Sequence, residues 1–394
     1  MEINSIDDNP FRSYLMAGFE CADLLNLNGK RIDFMKITGH LDQLDHDYAM
    51  LKDFGISTVR EGIRWSQVEA RPYEYDFSVT ELMIRTASEK GIQQVWDICH
   101  FGFPNDLSPF HPQFEKRFVS VSVAFARHCL ERTDSRQPLI ITPINEVSFL
   151  SWLCAEAGET FPYCKQQGWE AKYALMKAYI AAAKALKELD KRILILATEP
   201  LVNIVAPSDA TDEQISEAAL QHEFQYQAMD ILCDRICPEL GGSPDLLDIL
   251  GLNFYYNNQW ITGFEEFLPW ANLEPDQRWR PLSELLIEAY SRFGKPMILS
   301  ETSHSGVDRP HWFNFVWREI NLVAPEIPFW GVCLYPIVDR PDWNDLNYWH
   351  GSGLWDNTNI SGKPNRTLYQ PLATTIRKNI LQKDVSYEIE NRVY

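Results

Sequence analysis

Eight short apolar runs alternate with helical stretches along almost the whole chain, and that alternation narrows the folds open to it. The runs predict strands at 14–20, 56–60, 92–99, 139–141, 192–197, 247–253, 295–301 and 329–334. Each is three to eight residues of largely apolar, often β-branched character, the pattern of a strand buried on both faces. Apolar stripes of helical period predict helices at 41–54, 79–90, 114–132, 170–189, 213–233, 282–293, 312–323 and 368–382. Gly55, Gly91 and Gly294 stand where three of these should stop. Strands separated by helices pair in parallel through right-handed crossovers. Eight such units predict a single closed (β/α)₈ barrel, the TIM barrel class of α/β folds. The rival, an open doubly wound sheet, should carry a glycine-rich phosphate turn after an early strand, and neither GxGxxG nor a P-loop pattern is present.

A chain of 394 residues fits one barrel. No Gly/Ser linker or repeat divides it, so 1–394 is read as one catalytic domain, ending in an acidic tail at 383–394. The formal charge of −19 argues against nucleic acid and anionic membranes as partners. No stretch is long and apolar enough to span a bilayer, and MEINSIDDNPF carries no secretory leader. The eight cysteines are scattered. Cys233 and Cys237 have no matching histidine pair, so reduced thiols and a cytoplasmic location are expected, with no structural zinc.

In a barrel of this kind the C-terminal strand ends converge on one mouth. The polar residues at those ends are Glu20, Arg60, His100, Asn145-Glu146, Glu199, Asn253 with Tyr255, Glu301, and Tyr335 with Asp339. Taken singly, each reads as a salt bridge, a helix first-turn charge or a satisfied structural histidine. Their recurrence at one end of nearly every strand is the informative feature. Two of them, Glu146 and Glu301, are carboxylates at the ends of strands far apart in sequence. Such a pair suits glycoside hydrolysis, in which one carboxyl acts as acid/base and the other as nucleophile.

Several blocks, in order, resemble glycoside hydrolase family 1, the β-glucosidase family of retaining (β/α)₈ barrels. Val59 to Ser66, VREGIRWS, is similar to the family's YRFSIAWS, and Cys99 to Pro104, CHFGFP, to YHWDLP. Thr142 to Val147, TPINEV, resembles TFNEP with one extra residue. Asp248 to Tyr256 resembles DFLGINYY, and Ile298 to Ser303 resembles the ITENG strand. Gly331 to Trp343, GVCLYPIVDRPDW, lies without gaps along GYFVWSLLDNFEW. The resemblance implies Glu301 as nucleophile, with Arg60 and Tyr255 pairing with it and fixing its orientation. It implies Glu146 as general acid and then base, and Asn145 as the contact to the sugar 2-hydroxyl. His100, Glu20, Asn253, Tyr335, Asp342 and Trp343 would bind substrate. The expected partner is a small-molecule carbohydrate, with no cofactor and no metal.

The chain departs from the family where sugars are contacted. Phe101 and Tyr335 stand for tryptophans, Val147 for the proline after the acid/base, and Thr302-Ser303 for Asn-Gly. Glu20 or Asp23 stands near the place of the early glutamine. These departures motivate an alternative, a catalytically quiet barrel that binds carbohydrate. A metal-dependent hydrolase is disfavoured, because His40, His46, His100, His111 and His304 form no tight ligand pair.

Overall fold

The computed structural model describes residues 9–134, 136–263, 266–271, 276–360 and 363–390. Eight strands form a closed barrel: β1 (Leu15–Gly18), β2 (Thr58–Gly62), β3 (Gln93–Cys99), β4 (Leu139–Ile144), β5 (Ile193–Pro200), β6 (Ile249–Asn253), β7 (Met297–Thr302) and β8 (Phe329–Leu334). Every neighbouring pair is parallel, and β1 closes the ring against β8. This is the (β/α)₈ barrel that the alternation predicts.

Side chains alternate across each strand. Met16, Val95, Ile140, Leu196, Ile249, Ile298 and Trp330 fill the barrel interior. Their strand neighbours, among them Val59, Trp96, Ile141, Ile195, Leu250 and Leu299, pack outward in the much larger core under the helices. By the same alternation Arg60 and Asp97 point inward, while Glu61 points outward. There Glu61 meets His40 and Tyr48 at 3.1 and 2.8 Å.

Most helices lie close to their expected spans, including Ser78–Lys90, Phe114–Leu130, Gly168–Leu189, Leu282–Phe293 and Arg309–Val323. Two expectations change. The stretch at 41–54 is helical only from Leu44, and its last turn, Leu51–Phe54, is a 3₁₀ turn. The helix expected at 213–233 breaks at Phe224–Tyr226. There the Gln225 side chain donates to the His222 carbonyl at 2.8 Å, a local bond that competes with a continuous helix, and accepts from the distant Val202 N–H at 2.9 Å. Two small additions carry too few residues to leave a period in the sequence. One is the parallel pair Asn203–Val205 with Gln259–Ile261; the other is the antiparallel pair Trp355–Ile360 with Lys363–Leu368. Of the acidic tail expected at 383–394, the backbone to Glu390 continues the last helix, and 391–394 lie outside the described residues. Among the described residues no helix is long and apolar enough to cross a membrane, and all eight cysteines are free thiols.

Candidate active site

The strand-end residues meet around Arg60 on β2. Its guanidinium is buried and fully engaged: Nε donates to Asp97 Oδ1 at 3.0 Å, and Nη2 lies 2.8 Å from Asp97 Oδ2. Nη1 donates to Glu301 Oε1 at 2.6 Å and Nη2 to Asn145 Oδ1 at 2.6 Å. Burial alone would disfavour the charge, but Asp97 and Glu301 outweigh it and hold Arg60 firmly protonated. The second oxygen of Glu301 accepts the Tyr255 hydroxyl at 2.7 Å. One carboxylate from β7 is therefore clamped by a cation from β2 and a phenol just past β6.

A break in strand register aims that carboxylate. β6 and β7 pair Leu252 with Leu299 but Asn253 with Glu301, so Ser300 is an extra residue in β7. Ile298 is in the interior cluster, and Ser300 Oγ donates to Asn253 Oδ1 at 2.6 Å. Strict alternation would then send Glu301 outward, and the bulge returns it to the mouth.

Glu146 follows β4, where the chain turns sharply into the helix Val147–Ser151. Its backbone is left-handed, with φ of 46° and ψ of 62°. Its N–H donates to the Thr198 carbonyl at 3.0 Å, and Oε1 accepts Asn253 Nδ2 at 2.8 Å. Burial first, and then the negative Glu301, raise its pKa well above the usual carboxyl range. Asn145, just before it, is fixed by Arg60, by the Thr198 hydroxyl at 2.8 Å and by His100 Nε2 at 3.2 Å.

His100 is oriented by Asp97, 2.7 Å from its Nδ1, and its ring stacks on Tyr335 with centroids 5.6 Å apart and planes 5° apart. The Tyr335 ring fits because β1 has a glycine opposite it: a Cβ on Gly18 would lie 2.1 Å from the ring. The Tyr335 hydroxyl donates to Glu20 Oε1 at 3.2 Å, and the other Glu20 oxygen pairs with Arg340 Nε at 3.0 Å. Trp343 leans on Phe101 and Phe149, at centroid distances of 5.5 and 6.3 Å.

The fold thus gathers Glu20, Arg60, His100, Asn145, Glu146, Asn253, Tyr255, Glu301 and Tyr335 into one bonded cluster, with Trp343 at its aromatic edge. Asp342 is not part of it. Its Oδ1 accepts the N–H groups of Asn344 and Asp345 at 2.8 and 3.0 Å, which ties the carboxylate to its own loop. Asp97 and Ser300 are members that sequence reasoning passed over. Asp97 had a signal: two residues before Cys99 on an inward-facing strand, it shares a face with Val95.

Cys21, Asp97 and His100 offer ligand atoms within 4.8 Å of one another. Asp97 is already paired with Arg60, and burial pushes the Cys21 thiol well up, so it stays protonated. A cation there would face the guanidinium.

No protein-family model matches the chain, and no curated protein sequence does. Solved structures do. A β-glucosidase from Thermotoga maritima in complex with glucoimidazole superposes with a TM-score of 0.73 at 14% identity, covering 94% of this chain and 98% of that one. The fold is that of the family 1 β-glucosidases. The AHE enzyme from Alicyclobacillus herbarius gives 0.71 at 16% identity, over 88% and 87% of the two chains. A second Thermotoga maritima structure, the family 1 enzyme with isofagomine lactam, gives 0.70 at 15% identity, over 87% and 88%.

Proposed function

We propose that this chain acts as one catalytic unit, a retaining β-glycosidase that hydrolyses a small β-glycoside by double displacement. The observation that carries the reading is the contrast between the two carboxyls. Glu301 accepts bonds from Arg60 and Tyr255, partners that orient a carboxylate for attack. Glu146 is buried beside that charge and held to its proton, as a general acid requires.

In the first step a Glu301 oxygen attacks the anomeric carbon as the glycosidic bond breaks, and the Glu146 proton passes to the departing oxygen. The glycosyl ester removes the negative charge on Glu301. Glu146 is then free to ionise and to take a proton from water, whose oxygen attacks the same carbon and releases Glu301. Asn145, fixed on three sides, is suited to hold the 2-hydroxyl. The Trp343 indole N–H is buried without an acceptor among the described residues, a donor left for a sugar oxygen.

The reading is tested with a panel of nitrophenyl glycosides and the matching 2-fluoroglycosides. Turnover of one sugar and a covalent adduct on Glu301 are expected. A panel without turnover or adduct, combined with saturable sugar binding, would establish the quiet-barrel alternative.

A further inference from the structure

Glu199 is the penultimate residue of β5, beside the acid/base, and takes no part in the steps above. By alternation Thr198 faces inward, where it bonds Asn145, so Glu199 faces the helix Gly168–Leu189. It is buried, and both its oxygens accept the Ser148 N–H, at 3.3 and 3.1 Å. The same N–H opens the short helix that Glu146 begins. Two adjacent residues of β5 therefore grip the Glu146 turn from both sides: the Thr198 carbonyl takes the N–H of Glu146, and the Glu199 carboxylate takes the N–H of Ser148. That turn needs a grip, because a left-handed backbone is unfavourable for a glutamate and persists only where its surroundings enforce it.

We propose that Glu199 is a positioning residue for Glu146, fixing the turn that presents the acid/base and setting a second carboxyl behind it. This rests on the assignment of Glu146 as acid/base. The charged and titratable groups bearing on Glu146 are Glu301, Glu199 and Arg60, with Tyr255 across the site. Those bearing on Glu199 are Lys172, whose Nζ donates to Gln227 Oε1 at 2.8 Å, and Tyr179. Burial raises Glu199 to about 7, with the Ser148 bond and Lys172 opposing the rise. When ionised, it is a charge that Glu146 senses.

Two variants separate the roles. Glu199→Gln keeps an acceptor for the Ser148 N–H and removes the charge. Glu199→Ala removes both. The Glu146 titration is read by carboxyl ¹³C NMR, with the signal identified by its loss in Glu146→Gln, and this readout needs no turnover. Glu199→Gln should lower the Glu146 midpoint and move the basic limb of the rate profile down in pH. Glu199→Ala should lose about 100-fold in kcat on glycosides with poor leaving groups, with KM little changed and activated aryl glycosides much less affected. An unmoved Glu146 midpoint in Glu199→Gln, or equal losses on both substrate types in Glu199→Ala, overturns the proposal. A shifted midpoint in a protein that turns over no glycoside upholds the coupling of Glu199 to Glu146 and rejects the hydrolase reading on which the positioning role rests.

Discussion

Arg60 Nη1 lies 2.6 Å from Glu301 Oε1 while the same guanidinium grips Asp97 through Nε and Nη2. One buried cation serves two buried carboxylates, so its removal leaves two charges without compensation. Arg60→Met should destabilise the fold by about 3–5 kcal/mol, the usual cost of breaking a buried pair from one side. Chemical denaturation measures this, and a loss under 1 kcal/mol would mean that the pair is not buried as described.

The two carboxyls should answer differently to substitution. Glu301→Ala should abolish turnover, and azide should restore part of it by standing in for the missing nucleophile. Glu146→Gln should slow glycosides with poor leaving groups far more than activated aryl glycosides, since only the former need a proton. Equal slowing on both would remove Glu146 from the acid role.

The basic limb of the rate profile should belong to Glu146. Burial and the negative Glu301 raise its pKa, so kcat/KM should fall as pH rises through that value. The Asn253 amide donates to the Glu146 carboxyl and favours its ionised form. Asn253→Ala should therefore move the limb to higher pH while lowering the maximum rate. A limb that moves down, or stays put, contradicts the bond.

A second buried network should set stability in alkali. His40 sits between Asp47, 2.8 Å from Nδ1, and Glu61, 3.1 Å from Nε2; Arg366 Nη2 also binds Asp47 at 2.7 Å. Burial alone would lower the His40 pKa, but the carboxylates Glu61 and Asp47 win and push it up to about 9 from 6.5. A raised pKa means that the stabilisation is fully present below about 6.5 and is lost as pH rises through about 9. The loss should be about 3 kcal/mol. Denaturation at pH 6 and pH 10 should show that difference in the natural protein and not in His40→Gln.

The sequence alone determined the barrel and placed Glu146 and Glu301 at strand ends. Parallel strands and helices each write their own period, and a barrel sends every strand end to one mouth, so the two carboxyls were expected to meet there without coordinates. What the tertiary structure decided is where each side chain points. The Ser300 bulge turns Glu301 inward, a left-handed turn presents Glu146, Arg340 claims Glu20, and Asp342 is held by its own loop. None of these leaves a period in the sequence, because each depends on a single residue meeting a partner far along the chain. Burial then sets the chemistry: away from bulk solvent the charge on Glu301 reaches Glu146 and raises its proton affinity.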